Sequence, residues 1–519
     1  MRIGRDRPVA CADVGETMDE QCETCVLAID LGTGGPKVAV VDHIGRALAW
    51  RSAPVATNLL DGGGAEQDPE EMWRAIVAAT RATFAALPEP HPPIAAVAVT
   101  SQYMSTVPVA ADGTPTGPCI LWMDTRGGDH NLTLLTDEAF MLFVERHGLI
   151  PLPSGNDNVA HAHVVQTFHP DSYARAAALV EPMDYVNARL TGRIAATQST
   201  VFGQLVCDNR TWGVTEYDPE LVAATGLDPD KLAPLTPLRG FVGEVTRRAA
   251  EELGIPAGTP VVPGTIDSIT SAVGAGALGP TQGAVIIGTT SVMVSHIHEH
   301  RADITSGVLA VPSPLPGRYY VMAENGVGGR ALEWAQKLFG YGDDVESALR
   351  DAAAVAVGAD GVQFLPWLLG TIAPQPNDDV RAAYVGMSLH HDRRHMLRAA
   401  LEGIALNLAW LRPHVERFVG NDFPFLPFGG GAAQSSLCAQ VLADALDRPV
   451  HRLAQPRATN ARGAAFLAFA DLGLLDLETI PGLLQVEAVH DPDPATRDVM
   501  DRALRRLAAL HPTLALLPQ

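Results

Sequence analysis

A single carboxylate, Asp267, lies where an apolar strand is predicted to turn into a helix of small residues. Residues 261–276 are predicted to run from the apolar strand through a glycine turn into this helix. Catalytic groups of open α/β folds lie at the carboxyl ends of buried strands, where a carboxylate can take a proton from a hydroxyl. Because the surrounding sequence offers no lysine or arginine to pair with Asp267, its place in a buried turn favours a catalytic role. The alternative is that Asp267 only caps the helix.

Three glycine-rich turns elsewhere in the chain could approach phosphate groups through their backbone N–H groups. They cover residues 30–37, 288–290 and 429–432, and the last one directly precedes a predicted helix whose N-terminus would attract an anion. None has the spacing of a P-loop or of a dinucleotide-binding fingerprint. Together with one isolated base they indicate phosphoryl transfer to a hydroxyl, with Asp30 holding Mg²⁺ through water. Taken singly, each turn can also be purely structural.

Polar and aromatic side chains suited to a polyhydroxylated ligand follow another apolar strand. Gln102 and Tyr103 come directly after it, and Trp122, Asp124 and Arg126 come shortly later. We expect these groups to contact the substrate that carries the hydroxyl. The alternative is that Trp122 belongs to the core and that Asp124 and Arg126 form a local ion pair.

Two residue pairs have metal-like spacing but lack further ligands nearby. Cys22 and Cys25 are separated as in redox or zinc motifs, yet no second Cys or His pair lies close by, so the spacing is interpreted as incidental. His161 and His163 have no third ligand and fall on a predicted strand or loop, so we expect surface histidines.

The elements that must position these groups alternate between strands and helices. Strands 26–30 and 38–42 form a predicted hairpin, a helix begins after Asp68 with Pro69 in its first position, and the strand 94–100 follows. This alternation is typical of an α/β fold.

A second strand–turn–strand unit at residues 283–295 echoes the first. It predicts a second domain of related topology, with the boundary near residues 278–280. Helices are predicted in this second half at residues 397–411 and 437–446, the latter directly after the glycines of the third turn.

Composition agrees with two domains and restricts the partners. The chain has 519 residues, more than one ordinary core, and 37 basic against 59 acidic residues for a net charge of −22. Such acidity argues against nucleic acid or an anionic membrane as a partner, and leaves phosphate binding to backbone dipoles and a divalent metal. No apolar stretch is long enough to span a bilayer, and residues 1–25 lack the apolar segment of a signal peptide. We therefore expect a flexible leader on a cytoplasmic protein.

Taken together, five segments resemble the FGGY family of carbohydrate kinases. They are residues 30–37, 264–268, 288–290, 325–334 and 428–450, of which the last, beginning Phe-Gly-Gly-Gly-Ala-Ala-Gln-Ser, is the most specific. The resemblance covers nearly the whole chain after the leader. It implies an α/β protein of the actin-like ATPase superfamily, with two ribonuclease-H-like domains around a central cleft.

The resemblance also implies a role for individual residues. Asp267 would be the catalytic base, Asp30 would hold Mg²⁺, and the remaining residues divide between two ligands. Predicted ATP contacts are Gly32, Thr33, Lys37, Gly288, Thr289, Gly329, Glu333, Gly430, Gly431, Ala432 and Ser435. Predicted contacts to a sugar or polyol are Gln102, Tyr103, Met104, Trp122, Asp124 and Ser268.

Within the family the chain is most similar to xylulokinases, from which it departs at several positions. Met104 stands where a histidine that contacts the sugar is expected, and Ser268 replaces the asparagine that commonly follows the base. Gly34 and Gly35 replace serines of the first phosphate motif. Because nucleotide binding relies on backbone and on Asp30, these changes predict an altered sugar specificity.

The expected function is therefore ATP-dependent phosphorylation of a hydroxyl of a ketopentose or a related sugar or polyol. The expected domains are residues 26–279 for the sugar and the base, residues 280–490 for ATP, and a helical tail at 491–519, with a homodimer as a further possibility. A regulatory pseudokinase that binds sugar without turnover is the alternative, motivated by the altered sugar motif. An actin- or chaperone-like ATPase is disfavoured because no filament or peptide-binding extension is evident.

Overall fold

The computed structural model describes residues 24–516 of the chain. Cys22 and nearly all of the predicted leader lie outside this range, as do residues 517–519. Cys25 is a free, buried cysteine. Within the described range no helix is both long enough and apolar enough to cross a membrane.

The first domain combines many short strands with helices. Its strands are β1 (Cys25–Gly32), β2 (Gly35–Asp42), β3 (Ala47–Ser52), β4 (Asn58–Leu60), β5 (Gly64–Gln67), β6 (Ile94–Ser101), β7 (Val107–Val109), β8 (Cys119–Ile120), β9 (Ala178–Val180), β10 (Ala196–Thr197), β11 (Leu235–Thr236), β12 (Gly243–Glu244), β13 (Pro260–Val261) and β14 (Thr265–Ile266). Its helices are α1 (Pro69–Phe84), α2 (Gly128–Leu134), α3 (Asp137–Leu142), α4 (Asn158–Phe168), α5 (Pro170–Arg175), α6 (Pro182–Thr191), α7 (Pro219–Thr225), α8 (Arg247–Leu253) and α9 (Asp267–Gly274).

A mixed seven-stranded sheet carries this domain, in the order β12-β13-β6-β1-β2-β3 with β14 on β6. Strands β1 and β2 form the predicted hairpin, while β6 runs parallel to β1 and β14 runs parallel to the end of β6. Strand β1 is buried on both faces, which explains its unbroken apolar sequence. Because β1, β6 and β14 all run in one direction, their carboxyl ends meet at one edge of the sheet.

The second domain repeats this plan with a larger sheet. Its strands are β15 (Ala284–Ile287), β16 (Thr290–Ile297), β17 (Ala302–Asp303), β18 (Val308–Pro312), β19 (Tyr319–Met322), β20 (Glu324–Val327), β21 (Gln363–Leu365), β22 (Ala383–Val385), β23 (Leu426–Gly429), β24 (Val450–Leu453) and β25 (Val486–His490). Its helices are α10 (Gly329–Leu338), α11 (Val345–Ala353), α12 (Arg393–Val419), α13 (Ser436–Leu446), α14 (Thr459–Asp471), α15 (Ile480–Leu483) and α16 (Arg497–Ala515). Strands β15 and β16 form an antiparallel hairpin, and β23 runs parallel to β15, as β6 does to β1.

Helix α14 comes late in the chain but packs on the sheet of the first domain. Its alanines, including Ala461 and Ala465, lie in one apolar cluster with Val26, Ala28 and Ala98. The small side chains let the helix approach the strands closely. This packing also brings α14 alongside α9, so the two domains meet through a pair of adjacent helices. The C-terminal helix α16 instead buries residues in the core of the second domain.

Candidate active site

The carboxyl end of β1 carries a partly buried ion pair. Asp30 pairs across the hairpin with Lys37, whose Nζ lies 3.2 Å from Asp30 Oδ2. Asp30 is 2% exposed, and its charge raises the pKa of Lys37. Asn460 reaches from α14 to Asp30 with an Nδ2–Oδ1 distance of 3.5 Å, and Ser271 of α9 donates to Asn460 Oδ1 at 2.6 Å. The first phosphate turn is thus tied to both interdomain helices.

Asp267 is the first residue of α9, and Ile266 occupies the N-cap position. Burial raises its pKa to about 8, with further contributions from the negative charges of Asp30 and Glu324. It forms no ion pair with any residue in the range 24–516. Helix capping therefore does not explain why a carboxylate is kept here. A carboxylate with a raised pKa is a stronger proton acceptor once it is ionised.

Two threonines fix the helix that carries Asp267. Thr270 Oγ1 donates to the Asp267 carbonyl at 2.9 Å and lies 2.9 Å from Thr100 Oγ1 at the end of β6. Both threonines are completely buried. The base is therefore held at the same sheet edge as Asp30.

A hydrogen-bond network joins the first phosphate turn to the predicted sugar residues. Thr33 Oγ1 donates to Gln102 Oε1 at 2.6 Å and accepts from Trp122 Nε1 at 3.0 Å. Gln67 at the end of β5 donates to the Thr33 carbonyl at 2.7 Å and accepts from Gln102 Nε2 at 3.3 Å. The hydroxyl of Thr33, predicted to contact ATP, thus orients two predicted sugar ligands. Gln67 was missed because an isolated glutamine carries no motif.

The segment after β6 adopts an unusual backbone. Met104 has a φ of 53°, in the left-handed region that costs a non-glycine residue on the order of 1–3 kcal/mol. The next residue, Ser105, holds this bend, because its N–H donates to buried Glu181 at 3.2 Å and its Oγ accepts from the Trp122 N–H at 3.1 Å. Tyr103 OH donates to Met322 Sδ of the second domain at 2.7 Å. Strain of this kind is typical of ligand-binding positions.

Asp124 is completely buried in a local ion-pair network. Its carboxylate binds Arg126 through two nitrogens and accepts from the Ala65 N–H at 2.8 Å, and Arg126 also pairs with Glu66 at 2.7 Å. This is the ion pair of the alternative interpretation. Every strong acceptor position of Asp124 is used within the protein, so its visible role is to hold the loop that presents Trp122.

His161 does not lie on the surface, which corrects the prediction. It lies on helix α4, not on a strand or loop, and it is completely buried. Burial lowers its pKa to about 4, so the ring is neutral. His163 stacks on His130 with ring centroids 4.1 Å apart.

Within the described residues no group of three or more Asp, Glu, His or Cys side chains could hold a metal ion.

The second domain presents its glycine turns at the matching sheet edge. Gly288 follows β15, and its carbonyl accepts from the Gly329 N–H at 2.9 Å, where α10 begins. A Cβ on Gly329 would lie 2.2 Å from that oxygen, so only glycine allows this approach. Gly430 follows the parallel strand β23 with a φ of 87°, and Gly431 has open space around it. Backbone N–H groups at such an edge can face phosphates.

The remaining predicted ATP residues lie around these turns. Glu333 is exposed on α10, and Ala432 is partly buried in the turn after Gly431. Ser435 caps α13, with its Oγ accepting from the Cys438 N–H at 3.3 Å. Ser268 follows Asp267 on α9, and its buried Oγ lies near the hydroxyl of Tyr320.

Comparison with known proteins identifies the family. Residues 25–274 match the FGGY family of carbohydrate kinases, N-terminal domain, and residues 283–472 match the C-terminal domain of that family. The chain belongs to the FGGY family of carbohydrate kinases. The predicted two-domain, actin-like ATPase fold is thereby confirmed, and so is the predicted class of activity, an ATP-dependent sugar phosphotransferase.

Individual relatives share about a quarter of their residues with this FGGY kinase. A xylulose kinase of Staphylococcus epidermidis is 26% identical over 479 residues, covering 92% of this chain and 94% of the relative. A gluconokinase of Bacillus licheniformis is 25% identical over 473 residues, covering 87% and 88%. The crystal structure of xylulose kinase from Rhodospirillum rubrum superposes with a TM-score of 0.80 at 27% identity, covering 94% and 99%. None of these similarities supports the pseudokinase alternative.

Proposed function

We propose that this FGGY kinase transfers the γ-phosphoryl group of ATP to a hydroxyl of a ketopentose or a related polyol, with Asp267 as the general base. The observation that carries the proposal is the set of groups around the buried carboxylate of Asp267. Asp267 lies close enough to Asp30, Lys37 and Tyr103 for electrostatic interaction. Thr33, in the turn between Asp30 and Lys37, is hydrogen-bonded to Gln102 and Trp122.

The chemistry follows from this order of groups. The substrate hydroxyl oxygen attacks the γ-phosphorus, the bond to the β-phosphate oxygen breaks, and ADP leaves. The hydroxyl proton passes to the carboxylate of Asp267. Positioned general-base catalysis contributes roughly 10²- to 10⁴-fold to such a step. Backbone N–H groups of the glycine turns donate hydrogen bonds that stabilise the negative charge on the phosphate oxygens.

The donor atoms fit a Mg²⁺ ion that arrives with the nucleotide. Mg²⁺ usually binds through one or two carboxylates together with substrate phosphates and water. Asp30 supplies one such carboxylate, and Asp267 lies close enough for their charges to interact. When bound, the ion would neutralise phosphate charge. The protein's own part is to keep Asp30 in place through Lys37 and Asn460.

The substrate class rests on relatives and on the polar lining together. The relatives include xylulose kinases and gluconokinases at similar identity, so their names alone leave a ketose and a sugar acid open. The amide of Gln102, the indole of Trp122 and the phenol of Tyr103 suit hydroxyl groups better than a charged group. Met104 in place of the family's histidine favours a sugar other than D-xylulose as the best substrate.

A coupled ADP-release screen tests the proposal. It would cover ketopentoses, pentitols, tetritols and glycerol, with wild-type enzyme and the Asp267→Asn variant side by side. We expect sugar-dependent ADP formation by the wild type that the variant lacks. ADP formation that does not depend on any added sugar, at the full rate, would contradict the proposal.

A further inference from the structure

One face of the second domain closes over the sugar side of the cleft. Strands β19 and β20 follow each other with one residue between them, and alternation along a strand places Tyr320, Met322 and Glu324 on the same face. Tyr320 is buried in an apolar cluster that joins residues of both domains, and Met322 packs against that cluster. Met322 Sδ accepts from Tyr103 OH at 2.7 Å. Glu324, next on this face, therefore lies beside the predicted sugar residues.

Glu324 brings an unpaired carboxylate to this position. Its side chain is half-buried and makes no hydrogen bond or ion pair with any other residue of the described range. Burial raises its pKa, and its charge acts on Asp267, Tyr103 and Tyr320. A partly desolvated carboxylate without a partner is costly unless a ligand supplies hydrogen bonds.

Three cations around the phosphate turns and the predicted sugar residues are already engaged or lie on the nucleotide side. Lys37 is bonded to Asp30, and Arg126 is bonded to Asp124. Arg457 interacts with Lys37 and follows Pro456, whose carbonyl accepts from Gly430 of the nucleotide turn at 3.0 Å. Lys37, Arg126 and Arg457 are therefore not free to pair with an anionic group of a sugar.

We propose that Glu324 is a specificity-determining residue, which accepts hydrogen bonds from hydroxyls of a neutral sugar or polyol and rejects sugar acids. The inference rests on the proposed function of the same site. A hydroxyl that donates to a carboxylate forms a charge-assisted hydrogen bond. A substrate carboxylate would instead face the Glu324 carboxylate, with Lys37 and Arg126 already paired, and like charges placed together at an interface are strongly unfavourable.

The test compares neutral five-carbon substrates with five-carbon aldonates. Calorimetric binding and coupled ADP formation would be measured for D-ribulose, D-xylulose, ribitol and xylitol against D-ribonate and D-xylonate. The enzymes are wild type, the isosteric Glu324→Gln variant, and a matched control, Glu346→Gln, at a strongly exposed glutamate of the same domain. We expect the wild type to prefer its best neutral ligand over every aldonate by about 100-fold. In Glu324→Gln we expect this ratio to fall at least about tenfold, with Glu346→Gln unchanged.

Binding and turnover together separate the two ideas. If the wild type binds neutral ligands selectively and Glu324→Gln removes that selectivity, the inference stands even where no ADP forms, and the proposed function fails. If aldonates bind or react as well as neutral ligands, or Glu324→Gln leaves the ratio unchanged, the inference is overturned while the proposed kinase activity stands. Binding of none of the six compounds would also overturn it.

Discussion

Gly463 of α14 lies directly against Thr270 of α9, so that a Cβ on Gly463 would stand 1.8 Å from the Thr270 carbonyl oxygen. The reciprocal contact is similarly close, since a Cβ on Gly274 would stand 2.0 Å from the Thr459 carbonyl oxygen. Helix α9 begins with Asp267, and Asn460 lies in the first turn of α14. This glycine crossing therefore sets the position of the proposed base relative to the groups around Asp30.

Replacing this glycine should cost both stability and activity. In Gly463→Ala the added methyl group must push the two helices apart, and overpacking of this kind costs about 1–3 kcal/mol. We expect a lower midpoint in urea denaturation and a lower kcat, because Asp267 moves with α9. The control is Gly482→Ala, where a Cβ would meet nothing within 4 Å. If the two variants have the same urea midpoint and the same kcat, the contact between α9 and α14 tolerates the added methyl group.

The hairpins and the position of Asp267 could be predicted because their signals are local. Strand β1 and its counterpart β15 are short apolar runs that end at glycine turns, and the sequence around Asp267 changes from strand-like to small residues within a few positions. Burial of both sheet faces requires such runs. Local composition is therefore sufficient to find the framework and the proposed base.

Side-chain partners from distant segments could not be predicted in this way. Thr33 and Gln102 are 69 residues apart in sequence, and their hydrogen bond depends on the parallel register of β1 and β6. Asp124, predicted as a sugar ligand, pairs with Arg126, which also pairs with Glu66. The Asp124 carboxylate therefore holds the loop that carries Trp122. Glu324 lies just before the segment that resembles a family motif, and only the packing of β19 and β20 on the first domain brings it to the cleft.

The substitution at Met104 should shift sugar preference away from D-xylulose. Met104 offers no hydrogen bond where the family has a histidine, and an unpaired buried hydroxyl costs about 1–3 kcal/mol. Histidine tolerates a positive φ better than most residues, so Met104→His should fold normally and raise kcat/KM for D-xylulose by about tenfold. Met387→His, at a residue with 60% exposure, is the control. The prediction is wrong if D-xylulose is already the best substrate and Met104→His brings no gain.

Asp30→Asn should weaken the Mg²⁺-dependent step. The substitution removes one carboxylate charge and releases Lys37 from its ion pair. We expect a higher Mg²⁺ concentration for half-maximal rate, with activity partly restored as Mg²⁺ is raised. Asp42→Asn is a matched control, because Asp42 is a buried aspartate of the same sheet that pairs with Arg46 at 3.0 Å. A Mg²⁺ dependence that is the same in both variants would contradict the assignment of Asp30.

The pH dependence of the rate should report the raised pKa of Asp267. The free-enzyme pKa is about 8, and the base must be ionised to accept a proton. With both substrates far below their KM values, the rate should rise about tenfold per pH unit below that pKa and level off above it. Glu324→Gln should move the inflection to lower pH, because it removes a negative charge that disfavours ionisation of Asp267. An inflection near the ordinary value for aspartate would show that Asp267 is not the titrating base.

Asp267→Asn gives the most direct test of the mechanism. The amide keeps the size of the carboxylate but cannot take up the hydroxyl proton, so phosphoryl transfer should slow by roughly 10²- to 10⁴-fold. Calorimetric binding of ATP and sugar should change little, because no described residue depends on Asp267 for an ion pair. Single-turnover transfer separates the chemical step from binding and product release. Asp42→Asn, at a buried aspartate of the first domain's sheet that pairs with Arg46, keeps the base and should retain most of the transfer rate. If Asp267→Asn still transfers phosphate within a few-fold of wild type, another group accepts the proton, and the raised pKa of Asp267 reflects only its buried position beside Asp30 and Glu324.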